Sequence, residues 1–160
     1  MINKSFSSGK SVIELLVIIA IVGIMLAMIL PSLSSFRGEQ TLDNTADDIV
    51  SLLNQARAQT LSSQSSTYYS VHFDTNQAVL FSGGTYTPGA STNKVVTFSN
   101  LVSLPTVGGI SLVGGGSDVS FTRLTGDTTQ YGTIIVRLVS DATQQKIITI
   151  NQTGIVSASN

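Results

Sequence analysis

The sequence contains no cysteine and only one histidine, His72. Without cysteine there is no disulfide framework, no thiol nucleophile and no cysteine-based zinc site. One histidine cannot build a zinc site alone. No serine is marked as a nucleophile by a strained turn or by a known spacing. We therefore expect no metal, no cofactor and no enzymatic activity.

The sequence also has few charged residues. Charged residues make up 11% of the 160-residue chain, with a formal net charge of −1, whereas about 25% is usual for a soluble domain. No basic stripe is present, and residues 147–160 contain neither Lys nor Arg. Because nucleic-acid binding needs a concentrated positive surface, we expect no nucleic-acid partner. The length suits one domain plus an anchor.

What the sequence does have is one long apolar run, residues 12–30, with a single charge at Glu14. As a helix this run is about 28 Å long, close to the thickness of the hydrocarbon core of a bilayer. Lys4 and Lys10 precede it, and no acid does. The positive-inside rule then places the N-terminus in the cytoplasm and the rest of the chain outside. We expect a single-pass membrane protein.

Two other interpretations of this N-terminal region fail. Gly9-Lys10-Ser11 ends like a phosphate-binding loop, but the second glycine of that motif is missing and no strand can precede it. A cleaved secretory signal would have an apolar stretch of about 7 to 15 residues, without an acid. Glu14 remains the anomaly, since an ionisable residue in a membrane helix is either an interfacial acid without a role or a functional group.

The segment GKSVIELLVIIAIVGIMLAMILP closely resembles the N-terminus of type IV prepilins and type II secretion pseudopilins. Gly9 matches the last residue of their basic leader, and Glu14 matches the acid five residues into the mature chain. Gly23 and Pro31 match the glycine and the kink proline of the family helix. The similarity covers about residues 4–31, and a looser one to H-type pseudopilins and FimT-like minor pilins extends over residues 52–60, 71–74 and 148–156.

The resemblance implies that a prepilin peptidase cuts between Gly9 and Lys10 and methylates the new amine of Lys10. The mature chain would leave the bilayer, at an inner-membrane assembly platform, for a filament of pilin or pseudopilin subunits with its apolar helices at the centre. Glu14 would face the positive N-terminus of a neighbouring subunit. Lys10 departs from the family, which usually has Phe or Met there, and adds a second positive charge beside the amine.

Downstream of Pro31, which should bend the helix, apolar residues recur at three- and four-residue spacing. They predict an amphipathic helix over about residues 39–62, with acids on its polar side. Short strand candidates follow, with turn residues between them. The stripe is Leu42, Ala46, Ile49, Leu53 and Ala56, and the strand candidates are residues 67–73, 77–82, 94–98, 107–113, 118–123, 131–140 and 145–150.

These elements predict an α+β fold: a long N-terminal hydrophobic helix, transmembrane and kinked at Pro31, that continues into the amphipathic helix packed on an antiparallel β-sheet head. The expected organisation is a leader at residues 1–9, a transmembrane and assembly helix at 10–38, and an extracytoplasmic pilin-like head at 39–160.

Few side chains of the head invite a chemical interpretation. Strand alternation puts His72 and Asp74 on the face opposite Val71 and Phe73, where a solvated surface is the simplest reading. Asp118 and Asp127 lie near glycine-rich turns, but they lack the run of alternating acids of a calcium loop. A shared basic face is the last candidate, and its members would be Arg123, Arg137 and Lys146.

Two functional hypotheses follow from the sequence. In the first, the chain is a structural pilin or pseudopilin, more specifically a minor subunit, processed after Gly9 and polymerised through its N-terminal helix, with Glu14 as the assembly residue. In the second, it stays unprocessed as a single-pass membrane-anchored module whose head binds an external ligand. A plain anchor needs neither Gly9 nor Glu14, whereas the filament needs both.

Overall fold

The structure, a computed structural model, describes residues 12–62 and 67–159, except for the side chains of residues 29–35. The described residues form one helix, α1 (Val12–Leu61), followed by nine strands. The strands are β1 (Tyr69–Asp74), β2 (Gln77–Ser82), β3 (Lys94–Thr97), β4 (Val102–Ser103), β5 (Ile110–Leu112), β6 (Asp118–Ser120), β7 (Gly132–Leu138), β8 (Gln145–Ile150) and β9 (Val156–Ser159).

The helix is continuous through position 31, so the predicted apolar and amphipathic helices are one element. The bend expected at Pro31 stays a prediction. The chain divides into two compact units, with the boundary between Arg37 and Gly38. Among the described residues, no helix is both long enough and apolar enough to cross a membrane. The membrane-spanning helix predicted for residues 12–30 is therefore not confirmed.

The apolar stripe of the amphipathic half of α1 is confirmed. All five of its members are buried at 2% exposure or less, while Asp47 and Asp48 face solvent. Leu52 joins the buried side of the helix. The helix ends in a polar link to the first strand, because the buried hydroxyl of Thr60 accepts a hydrogen bond from the backbone N–H of Tyr69 at 2.9 Å.

The strands form two antiparallel sheets, a division that the sequence did not predict. The first sheet has the order β3-β2-β1-β6, and the second has the order β4-β7-β8-β9, with β5 also paired to β7. The glycines at 114, 115 and 116 all have positive φ. An extended chain cannot continue through them, so the chain turns after β5. After this turn, β6 pairs with β1 in the first sheet.

One hydrophobic core joins the head together. Alternate residues of both sheets point toward the buried side of α1, as the period of two in a strand requires. The two sheets thus share a single core although no strand is common to both. The principal strand residues of this core are Val71, Phe73, Ala78, Leu80, Val119, Ile134, Val136, Ile148 and Ile150.

Candidate functional site

The predicted assembly segment is only partly within the described residues. Gly9 and Lys10, the predicted cleavage and methylation sites, lie outside them. Pro31 lies in α1, but its side chain is not described. Glu14 is described, and it is an exposed acid in the first turn of α1.

Every residue from Val12 to Met28 is exposed. The side chains include Val12 at 80%, Ile19 at 63% and Met28 at 74% exposure. Because consecutive residues of a helix point in different directions, this segment is apolar on all of its sides. Covering a side chain of this kind is worth about 1.5 to 3 kcal/mol. Covering the segment would therefore be strongly favourable, and the described residues of its own compact unit leave it exposed.

Glu14 is the one charged residue among residues 12–28. Val17 and Ile18, three and four residues further along, share its side of the helix and carry no charge. Among the described residues, no cation forms an ion pair with Glu14. Once the apolar surface is covered, a carboxylate here needs a positive partner, since burying an unpaired charge costs several kcal/mol.

Gly23 is the other feature of the segment. A Cβ added at this position meets nothing within 4 Å. Packing among the described residues therefore does not require a glycine here. In helix–helix contacts in apolar surroundings, small residues let two backbones approach closely. This position suits the approach of a second helix.

In the head, His72 contacts a different acid from Asp74, the acid that strand alternation places on the same face of β1. The alternation along β1 is confirmed, because Val71 and Phe73 are buried and Asp74 is exposed. However, the acid that contacts His72 is Asp118 of β6, with 2.5 Å between Nδ1 and Oδ1. The expectation of a solvated face is wrong at this point, since the ring of Tyr86 stacks on the imidazole at 4.0 Å.

Sequence reasoning missed both partners of His72. Asp118 is 46 residues away along the chain, and only the pairing of β1 with β6 makes it a neighbour. Tyr86 lies in a loop of glycine, threonine and proline, where its single aromatic ring was the only available signal.

The other candidate groups of the head do not assemble into a site. Within the described ranges, no group of three His, Cys, Asp or Glu residues could hold a metal ion. The candidate basic face is not formed, because Arg137 and Lys146 belong to neighbouring cross-strand pairs of β7 and β8 and so point to opposite faces. Lys146 instead forms an ion pair with Asp43 of α1 at 2.7 Å.

A cavity of about 350 Å³ opens beside the turn between β1 and β2. Asp74 is the titratable residue in its wall, so the cavity presents one carboxylate and no pair of groups that could share a proton. The remaining lining is small polar and apolar residues: Phe73, Thr75, Leu104, Pro105, Thr106, Ile110, Gly116 and Ser117.

Comparison with known proteins finds a solved structure with a similar fold. No family model matches the chain, and no curated protein matches it. Among solved structures, the chain is similar to the crystal structure of the type IV minor pilin FimU from Pseudomonas aeruginosa, with a TM-score of 0.54 and 13% sequence identity. The match covers 74% of this chain and 93% of the FimU chain.

The fold is pilin-like. At 13% identity the likeness concerns the fold alone. It confirms the predicted α+β architecture in which the N-terminal helix packs on antiparallel sheets.

Proposed function

We propose that this chain is a structural subunit of a type IV pilus or of a type II secretion-type filament, more specifically a minor subunit. The observation that carries the proposal is the exposed apolar half of α1 with its single acid, Glu14. The pilin-like fold supports it. A globular domain that worked alone would have no use for a helix whose apolar side chains face outward on every side.

The proposed maturation begins with cleavage by a prepilin peptidase between Gly9 and Lys10, followed by methylation of the Lys10 amine. Its support is the sequence, where Gly9 and Glu14 have the spacing of the prepilin motif. Lys10 at the new N-terminus would carry two positive charges, one on the backbone amine and one on the side chain.

Before assembly, the chain is proposed to cross the membrane once, with its N-terminus in the cytoplasm and its head outside. The support is again the sequence. Thirteen of residues 12–30 are Val, Ile or Leu, which together favour insertion by about 4 to 8 kcal/mol. After assembly, the head belongs to a filament outside the cytoplasmic membrane, and the partners are other pilin subunits and an inner-membrane assembly platform.

In the filament, Glu14 is proposed to pair with the positive N-terminus of a neighbouring subunit. Around it, the apolar side chains would exchange lipid for the helices of neighbours. Apolar packing of this kind is tolerant of sliding, whereas a carboxylate in low-dielectric surroundings is stable only opposite its cation. The pairing would therefore fix the axial register, as a single polar residue does in a coiled coil.

The proposal includes no enzymatic activity, no metal or cofactor and no nucleic-acid ligand. Its support is compositional: one histidine, no cysteine, and a C-terminal segment, residues 147–160, without a positive charge.

The test is the incorporation of Glu14→Leu and Glu14→Gln variants into filaments by cells that produce the assembly machinery. We expect both to insert into the membrane normally and to be lost from sheared filaments by more than tenfold. Glu39→Gln is the matched control, because Glu39 is an exposed acid of the same helix outside the apolar segment. It should assemble like the unchanged chain.

The opposite result is equally informative. Normal incorporation of Glu14→Leu would rule out the register role. If the unchanged chain and all variants stay in the membrane and none reaches a filament, the filament proposal fails and the anchored binding module becomes the favoured hypothesis.

A further inference from the structure

The strand β9 (Val156–Ser159) is an edge of the second sheet, because it pairs with β8 on one side and no described strand pairs with its other side. Exposed edges invite pairing with other chains, and charged residues or proline usually block it. The two edges of the first sheet each carry a charge, Lys94 in β3 and Asp118 in β6. β9 carries neither a charge nor a proline. It therefore lacks the usual protection against pairing.

The free side of β9 presents backbone hydrogen-bonding groups at two residues. The N–H of Asn151 donates to the carbonyl of Ile155 at 2.9 Å, at the start of the ladder between β8 and β9. In an antiparallel ladder, hydrogen-bonded pairs alternate with non-bonded pairs. Ile155 and Ser157 therefore direct their N–H and C=O groups toward β8, and Val156 and Ala158 direct theirs away from it. A strand laid along this side would bond to both of the latter residues.

The core-facing side of the second sheet is open beside β9. Ala158 pairs with the fully buried Ile148, so the two side chains share the face that points toward α1. Ala158 is nevertheless exposed, whereas Val156 on the same face is half-buried. A groove of about 450 Å³ lies here between α1 and β9. Its lining residues are Asp43, Ala46, Asp47, Lys146, Ala158 and Ser159.

The groove carries one negative charge in excess. Lys146 is paired with Asp43 at 2.7 Å. Asp47 lies one helical turn further along α1 and is exposed. Among the described residues, no cation forms an ion pair with Asp47. A long basic side chain that enters the groove from an added strand would therefore meet an unpaired carboxylate.

We propose that the free edge of β9 binds an extended segment of a partner protein, which adds a strand to the second sheet. Main-chain hydrogen bonds form at Val156 and Ala158. In antiparallel pairing, the partner residue opposite Ala158 is a lysine or arginine that reaches Asp47. The next partner residue on the same face lies opposite Val156 and is apolar. The pattern recognised in the partner is thus a basic residue, any residue, and an apolar residue.

The described strands of a second copy of the chain do not supply this pattern. β3 is the free edge strand that has lysine and valine at alternate positions, Lys94 and Val96. Its register directs the backbone groups of both residues toward β2. The free edge of β3 therefore offers Val95 and Thr97, neither of which is basic. The other described edge strands contain no basic residue, so we assign the site to a different protein.

A tethered strand tests the site in the full-length chain in mild detergent. The sequence Thr-Thr-Lys-Thr-Val-Thr-Thr is joined to the C-terminus through a flexible Gly-Ser linker, which gives it an effective concentration in the millimolar range. We expect the exchange of the Val156 and Ala158 amide hydrogens to slow by about tenfold, the factor for a dissociation constant of about 0.1 mM. The Ser157 amide, already bonded to β8, should change less. Hydrogen exchange followed by NMR measures all three.

Charge reversal separates recognition in the groove from strand addition in general. Replacing the tethered lysine by glutamate should reduce the protection by about threefold or more, because one attractive pair becomes repulsive. Asp47→Lys in the chain should restore the protection by the glutamate strand. Asp48→Lys is the matched control, because Asp48 is an exposed acid of the same helix that does not line the groove. It should not restore the protection.

Ala158→Pro tests the main-chain bonds. It removes an N–H that the ladder with β8 does not use, and proline is tolerated at such edge positions. The head should therefore unfold at an unchanged urea concentration. The protection of the Val156 amide by the lysine strand should be lost.

Equal exchange rates at Val156 and Ala158 with and without the tethered lysine strand would overturn the proposal. So would equal protection by the lysine and glutamate strands, since the groove would then not select charge. Protection that appears in the unextended chain as its concentration rises would assign the edge to a second copy and overturn the choice of a partner protein. None of these results depends on cleavage or on assembly, so the edge site stands or falls separately from the filament.

Discussion

The two halves of α1 form one continuous helix, but they differ in whether their apolar side chains are exposed or buried. From Val12 to Met28 every residue is exposed, although nearly all are apolar. From Leu42 to Ala56 the apolar residues, apart from the half-buried Val50, lie in one buried stripe, and most of the polar residues face solvent, although Thr45 is buried. The second half has the pattern of a helix whose packing is completed by its own chain. The first half has an apolar surface on all sides, which the described residues of its own unit leave exposed.

The largest expected contrast uses the same substitution in both halves. Ile49 is fully buried and Ile19 is 63% exposed. Ile49→Ala removes methyl groups from the core, so the head should lose about 2 to 5 kcal/mol in its free energy of unfolding. Ile19→Ala should change it by no more than about 0.5 kcal/mol. Urea unfolding in mild detergent, followed by near-UV circular dichroism of the tyrosines, measures both.

A loss of head stability in Ile19→Ala equal to that in Ile49→Ala would contradict the division of the helix into two kinds of surface. Filament incorporation provides the complementary readout. There Ile19→Ala is expected to be defective, because in the proposed filament the contacts of Ile19 would come from neighbouring subunits.

Glycine offers a second paired test. Gly154 has φ +73°, and a Cβ at this position would come within 2.0 Å of the carbonyl oxygen of Gly126. Gly154→Ala should therefore cost the head about 2 to 4 kcal/mol, through the strained φ and the displaced loop. A Cβ at Gly23 meets nothing, and Gly23→Ala should leave head stability unchanged. Thermal unfolding of the two variants in the same detergent checks the difference.

If Gly23→Ala assembles as well as the unchanged chain, no close helix approach occurs at this position. If Gly154→Ala unfolds at the temperature of the unchanged chain, the contact between the two glycine loops is not tight in solution.

Arg57 tests how the end of α1 is attached to the head. Its guanidinium donates to the carbonyls of Gly126 at 3.1 Å and Thr153 at 3.4 Å, and so joins the helix to two loops. Arg57→Met keeps most of the side-chain stem but removes both donors. We expect a loss of about 1 to 2 kcal/mol, measured by urea unfolding. Arg57→Lys, which keeps the charge but not the fork of donors, should recover less than half of it.

The smallest expected effect concerns the turn between β7 and β8. The hydroxyl and the backbone N–H of Thr143 donate to the Asp141 carboxylate, at 2.6 and 3.0 Å, and lower the pKa of Asp141 below its ordinary value of 3.8. A lowered pKa stabilises the fold above the ordinary value, and the contribution is lost as pH falls through the lowered one. Thr143→Val should raise the pKa of Asp141 toward 3.8, as measured by NMR titration of its carboxyl carbon. An unchanged titration would mean that the hydroxyl bond is absent in solution.

Local pattern predicted much of the fold. The stripe of α1 and the strand β2, predicted at residues 77–82, were readable because burial follows the helical period and the strand alternation. The two-residue strand β4 was missed, since two residues are too few to show any period. The division into two sheets depends on which distant strands pair, and no local pattern encodes that choice.

The candidate sites also differ in whether a local pattern or a long-range contact defines them. Glu14 could be found because its motif is contiguous, and a charge within an apolar run is visible in the sequence. The partners of His72 could not be found, because Asp118 and Tyr86 reach it through the register of β6 and through the path of a loop. Long-range register decides such contacts, and it is set by the packing of the whole head.

Processing is the step on which the filament account depends most directly. The decisive measurement is the intact mass of the protein extracted from membranes of cells with and without a prepilin peptidase. The account predicts a product that begins at Lys10, with or without one added methyl group, only when the peptidase is present. The full-length chain in both cells would contradict it and would leave a membrane-anchored module.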